Sequence, residues 1–213
     1  DRDGLSALAH RAEAHAQQGR ASPMDASTSV EGGIVVLSDH VEVDANHLYT
    51  RQLMTPEGKR TWEVHNLAAP SDDVYLVLGN TGVFAPTSKQ VAMVADALAA
   101  DPSRVREIEA IGTVARRGLA ALMEGDYEAV GHAMSENHLL LRNLGVSSPE
   151  LENLIQAAAP TSLGVKLTGA GGGGCMVALT RHPKQTSEAI ELAGGRTLVS
   201  RIGNEGVRIE TAT

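Results

Sequence analysis

The chain has 213 residues, 42% of them hydrophobic and 21% charged, the balance of a globular protein that buries a core. A formal net charge of −8, and aromatics limited to Trp62, Phe84, Tyr49, Tyr75 and Tyr127, exclude the basic surfaces and stacking platforms that nucleic acids require. A single cysteine, Cys175, rules out an internal disulfide or a multi-thiolate metal site, and no apolar run approaches membrane-spanning length.

In residues 4–18, apolar positions at Leu5, Leu8, Ala9 and Ala12 predict a helix. Gly19-Arg20-Ala21-Ser22-Pro23 ends it. Residues 24–30 are small and polar and read as a loop holding Asp25. Gly32-Gly33 leads into a short strand over 34–37. Residues 38–70 are mixed and turn-rich, with Pro56-Glu57-Gly58 as a hairpin tip.

Residues 74–78 form the clearest strand, and 81–86 read as a loop. Helices are predicted over 88–100, then after the Asp101-Pro102 cap up to Gly125, from Tyr127 to a stop at Gly145, and from Ser148-Pro149 to Pro160. Val165-Lys166-Leu167 is strand-like and runs into a glycine-rich segment. A strand over 175–179, a helix over 183–192 and two strands, 196–202 and 207–209, complete the pattern. Helices beside a mostly antiparallel sheet describe an α+β fold.

Gly169-Ala170-Gly171-Gly172-Gly173-Gly174 contains G-x-G-x-x-G. The dinucleotide reading needs a helix after the glycines, and the P-loop reading needs a Lys followed by Ser or Thr. Cys175-Met176-Val177-Ala178-Leu179 offers neither, being apolar without helical period. What remains is strand, glycine loop, strand. Glycines let a backbone approach a ligand closely, and consecutive N–H groups form an anion nest. The competing reading is a plain turn, which does not need the ordering cost of so many glycines. Lys166 at the loop's mouth is either a ligand-facing cation or a solvated strand-end lysine.

Asp25 is either a general base or a turn cap, and Glu13 on the preceding helix offers a second carboxylate, for a metal ion. Buried packing is the favoured role for Cys175. The histidines lack zinc-site spacing; for His138 a helix-surface or interhelix contact is favoured over facing the cleft.

Lys166-Leu167-Thr168-Gly169-Ala170-Gly171-Gly172-Gly173-Gly174-Cys175 resembles the third motif of the GHMP kinases, in the form typical of mevalonate kinases. Gly19-Arg20-Ala21-Ser22-Pro23-Met24-Asp25 with Gly32-Gly33 resembles the catalytic-aspartate segment of the archaeal-type members. Thr81-Gly82-Val83, and the stretch from Asn137-His138 to Gly145-Val146-Ser147, resemble further family segments in the same order.

The resemblance implies an S5-like remainder of an amino-terminal domain over 1–65 and a ferredoxin-like carboxy-terminal domain over 66–213. It implies ATP-dependent phosphorylation of the 5-hydroxyl of mevalonate, with ATP and Mg²⁺ as cofactors. Asp25 would orient or deprotonate the hydroxyl, and Glu13 would help bind Mg²⁺. Gly169, Ala170, Gly171, Gly172, Gly173 and Gly174 would line the phosphate site. Ser22, Thr81 and Thr168 would contact substrate. A cytoplasmic protein without nucleic-acid or membrane partners is expected, and a homodimer is one assembly the resemblance admits. In family order a Gly-Leu-Gly-Ser-Ser nucleotide segment precedes Asp1, so the chain is expected to be a carboxy-terminal portion that alone binds ATP poorly. The alternatives are a GHMP kinase for phosphomevalonate, for galactose, for homoserine or for the 3-hydroxyl of mevalonate, and a non-catalytic binding module.

Overall fold

The computed structural model describes residues 1–17, 19–56, 58–68 and 73–210. It is an α+β protein of two compact units, Asp1–Ser71 with Ile202–Thr213, and Asp72–Arg201.

In the first unit α1 (Arg2–Ala16) begins at Asp1, whose side chain accepts from the Gly4 amide at 2.7 Å. It packs on α2 (Met24–Glu31), followed by β1 (Ile34–Ser38), β2 (Asn46–Thr55) and β3 (Gly58–Leu67). These strands form an antiparallel sheet ordered β1-β3-β2. Two expectations are corrected here. Residues 24–31 are helix rather than loop, because burial of Ala26, Ser27 and Val30 outweighs the weak helix propensity of Ser and Thr. The turn-rich stretch holds two ten-residue strands, and Glu57 at the expected hairpin tip, like Gln18 at the expected end of the first helix, lies outside the described residues.

The segment after Ile202 belongs to this unit. The strand expected over 207–209 does not form: Val207 donates its amide to Val30 O at 3.0 Å, but Ile209 is 94% exposed and pairs with no strand among the described residues. Gly32 and Gly206 meet backbone to backbone, since a Cβ on Gly32 would lie 2.1 Å from the Gly206 nitrogen.

The second unit opens with β4 (Tyr75–Asn80) and continues with α3 (Thr87–Ala100). A 3-10 turn (Pro102–Arg104) is capped by Asp101, which accepts from the Ser103 amide. Next come α4 (Val105–Glu124), α5 (Tyr127–Asn143) and α6 (Pro149–Ala158). Gly125 stops α4 in the left-handed region, and Ser148 caps α6 with Pro149 in its first turn. Then follow β5 (Gly164–Thr168), β6 (Cys175–Thr180), α7 (Pro183–Leu192) and β7 (Arg196–Arg201).

The sheet is antiparallel in order β5-β6-β4-β7. Its core joins Val77, Leu167, Met176 and Ala178 of the sheet to Leu151, Leu154 and Ile155 of α6 and Ile190 of α7. Among the described residues no helix is long and apolar enough to cross a membrane.

Candidate active site

The strand, glycine loop, strand element is present as read from the sequence. The β5–β6 ladder closes at Thr168 opposite Cys175, and residues 169–174 form the link. Positive φ angles stand at Gly169 (77°), Gly171 (84°), Gly172 (72°), Gly173 (151°) and Gly174 (72°). An L side chain in such a conformation costs roughly 1–2 kcal/mol per residue, so only glycine follows this path cheaply.

The loop is braced from two sides. The Gly172 amide donates to Val146 O at 2.7 Å, in the turn between α5 and α6. The Gly174 amide donates to Val83 O at 2.8 Å, in the segment after β4. The braces are tight: a Cβ on Gly171 would sit 2.0 Å from Val146 O, and one on Gly173 would sit 2.7 Å from Val83 O. Thr81 completes them. Its amide and its hydroxyl each donate to Gly174 O at 2.9 Å, and its Oγ1 accepts from the Val83 amide at 3.2 Å. Gln90, in the first turn of α3, presses its side-chain amide against Gly172, and its Oε1 is buried without a partner among the described residues.

With Gly172 and Gly174 spent on braces, the amides of Ala170, Gly171 and Gly173 donate to no group among the described residues. Fixed donors in a concave glycine turn suit an anion. Thr168 is half-buried at the end of β5. Lys166 is half-buried two residues earlier, and burial lowers its pKa from the usual 10.5.

His138 on α5 is 4% exposed. Its Nδ1 accepts from the Leu167 amide at 3.4 Å, and its Nε2 donates to Glu152 Oε1 at 3.0 Å. Ser147 Oγ donates to the same Glu152 oxygen at 2.6 Å. Burial lowers the His138 pKa below 6.5 against the pull of Glu152.

In the first unit Asp25 is exposed in the first turn of α2, where the helix macrodipole favours a carboxylate. The turn before it is anchored by buried Ala21 and Pro23. His10 Nε2 donates to Ala21 O at 3.1 Å, and the Ser27 amide donates to Pro23 O at 2.8 Å. Ser22 between the anchors is exposed. Glu13 on α1 is half-buried, and its Oε1 accepts from Gln17 Nε2 at 3.0 Å. Behind α2, Tyr49 Oη bonds Ser6 Oγ at 3.0 Å and Glu31 Oε1 at 3.2 Å, and Ser6 Oγ lies 3.4 Å from Ser27 Oγ.

The bracing roles of Val83, Gln90 and Val146 escaped the sequence reading. Val83 and Val146 act through backbone carbonyls, which leave no side-chain signature. For His138 the sequence favours a helix-surface or interhelix contact over a cleft-facing role; its acceptance of a strand amide has no sequence signal.

The chain is 38% identical over 149 residues to a Pyrococcus furiosus protein named mevalonate kinase, a match covering 66% of this chain and 45% of that protein. The chain thus spans about half the length of the curated relatives it matches. Its fold resembles the Methanococcus jannaschii mevalonate kinase at TM-score 0.62 and 23% identity, over 96% of this chain and 57% of the other. It also resembles a homoserine kinase from Cytophaga hutchinsonii at TM-score 0.65 and 17% identity, over 97% of this chain and 59% of the other. Residues 119–194 match the family described as GHMP kinases C terminal. That match runs from the end of α4 past α7 and takes in the glycine loop with both walls of its Val146 brace. The residues that build the glycine loop and its Val146 brace therefore lie within the segment that matches the GHMP kinases C terminal family.

Proposed function

We propose that the protein transfers the γ-phosphoryl group of ATP to the 5-hydroxyl of mevalonate. The observation that carries this reading is the 38% identity over 149 residues to a protein named mevalonate kinase. The braced glycine loop supports it chemically. Phosphoryl transfer asks a protein for positioning and charge stabilisation more than for covalent chemistry. Amides held at fixed points and costing no reorganisation meet that need.

In this reading the free amides of Ala170, Gly171 and Gly173 face phosphate oxygens, and Thr81 keeps the loop in shape through Gly174. Asp25 takes or orients the proton of the attacking hydroxyl. Ser22 and Thr168 contact the bound substrate. Magnesium brought in with a nucleotide is held by phosphate and water oxygens plus one or two carboxylates. Among the described residues no cluster of three or more His, Cys, Asp or Glu forms a metal cage, and the half-buried Glu13 carboxylate fits the smaller demand. When bound, the metal neutralises phosphate charge.

The homoserine kinase likeness, equal in TM-score to within 0.03 of the Methanococcus protein, leaves the alcohol substrate to experiment. The full-length protein, given Mg·ATP and each of mevalonate, phosphomevalonate, homoserine and galactose, is expected to release ADP fastest with mevalonate. A higher kcat/KM for another alcohol reassigns the substrate; no ADP release with any of them removes the kinase reading.

A further inference from the structure

Strand β5 is at one end of its sheet, and among the described residues no strand pairs with its outer edge. Edge amides need partners when buried. Here they are supplied by side chains of α5: the Val165 amide donates to Ser135 Oγ at 3.3 Å, and the Leu167 amide to His138 Nδ1 at 3.4 Å. The helix comes close enough because Gly131, one turn before Ser135, meets Gly164 backbone to backbone. Gly131, Ser135 and His138 thus form one helical stripe seated along the edge of β5.

Leu167 stands two residues before the glycine loop. From the other side His138 is held by Glu152, which also takes the Ser147 hydroxyl, and Ser147 adjoins the Val146 carbonyl that braces Gly172. One buried histidine therefore ties together the strand that enters the loop and the turn that braces its middle. Its charged neighbours are Glu152 on α6, Arg142 on its own helix and Lys166 on β5. An imidazole that accepts at Nδ1 and donates at Nε2 is neutral and has one defined tautomer.

We propose that His138 is a positioning residue for the phosphate-binding loop: as the Nε2–H tautomer fixed by Glu152, it accepts the Leu167 amide and sets where the loop begins. The proposal rests on the kinase reading only in calling the loop phosphate-binding. The clamp itself is measurable without substrate.

The test uses the full-length protein. Nitrogen-15 NMR of its histidines at pH 7.5 is expected to show His138 protonated at Nε2 and bare at Nδ1; the opposite tautomer overturns the proposal. In His138→Leu, amide exchange at Leu167 and Gly172 is expected to accelerate about tenfold, the order of effect of one unmade buried hydrogen bond, while Val199 on β7 is unchanged. His138→Asn, whose side-chain oxygen stands near the place of Nδ1, is expected to restore protection. Unchanged exchange in His138→Leu, or equal loss in both variants, overturns the clamp. Should His138→Leu fail to fold, the wild-type tautomer and the protection in His138→Asn decide. The KM for ATP is expected to rise in His138→Leu and recover in His138→Asn; faster exchange with an unchanged KM overturns the positioning role. Intact clamp signals in a protein that phosphorylates no alcohol would remove the kinase reading and leave the clamp.

Discussion

Gly131 of α5 and Gly164 of β5 touch through their main chains: a Cβ on Gly164 would lie 2.0 Å from the Gly131 carbonyl oxygen, and one on Gly131 would lie 2.3 Å from Leu163 O. This contact brings the Ser135 and His138 side chains within reach of the strand edge. Alanine at a helix interior normally gains about 1 kcal/mol over glycine. At Gly131 the clash with backbone reverses the sign, and Gly131→Ala is expected to destabilise by about 1–3 kcal/mol. Gly112, in the middle of α4, has only the end of the Arg116 side chain nearby at 3.6 Å. Gly112→Ala is therefore expected to stabilise by roughly 0.5–1 kcal/mol. Urea unfolding of both variants checks the contrast.

Two glycines of the loop separate strain from space. Gly171 and Gly174 have similar φ, 84° and 72°. A Cβ on Gly171 meets Val146 O, whereas Gly174 has nothing within 4 Å. Gly174→Ala is expected to cost about 1–2 kcal/mol, the left-handed strain alone. Gly171→Ala adds an overpacking cost of about 1–3 kcal/mol and breaks the brace. Thermal unfolding ranks the two, and equal losses would contradict the braced geometry.

His138 makes stability depend on pH with a definite sign. Its folded pKa lies below the unfolded value of 6.5. Between those two values the unfolded chain binds more protons, so stability falls as pH falls through that window and is complete above pH 6.5. His40, raised by its hydrogen bond to Asp39 and by Glu42, acts with the opposite sign, contributing stability below 6.5 that is lost as pH rises through its folded value. The lowered carboxylates Asp101 and Glu150 act further down, below their ordinary 3.8 and 4.5. The urea midpoint of the wild type is expected to drop from pH 7.5 to pH 5 more than that of His138→Asn. An equal drop would assign the dependence to other groups.

Tyr49 supports the helix that carries Asp25, through Ser6 and Glu31. Tyr49→Phe removes those bonds and keeps the ring. It is expected to cost about 1 kcal/mol, the net worth of a typical hydrogen bond. Chemical unfolding checks it, and no change would show that water replaces the hydroxyl.

Much of the second unit was legible because its signals are local. Gly125 ends α4, Ser148-Pro149 starts α6, and the apolar run after the glycines has no helical period, so strand, loop, strand followed directly. The first unit was harder. Helix α2 carries Asp, Ser and Thr and is held by what it buries rather than by propensity. Strands β2 and β3 are largely polar, with Arg51 folded under to pair with Asp3, a contact 48 residues apart that no window reveals. In the candidate site the glycines were visible as glycines. Their braces were not, because a carbonyl such as that of Val146 has the same chemistry at every position in the chain.

Phosphoryl transfer to mevalonate, with Asp25 acting on the hydroxyl proton, is tested most directly by steady-state kinetics of the full-length protein against Asp25→Asn. The wild type is expected to form 5-phosphomevalonate from Mg·ATP and mevalonate. The variant is expected to keep its KM for ATP while kcat falls roughly 10²–10⁴-fold, the usual contribution of a positioned base. Full activity in Asp25→Asn, or a wild type that forms no phosphomevalonate, would contradict it.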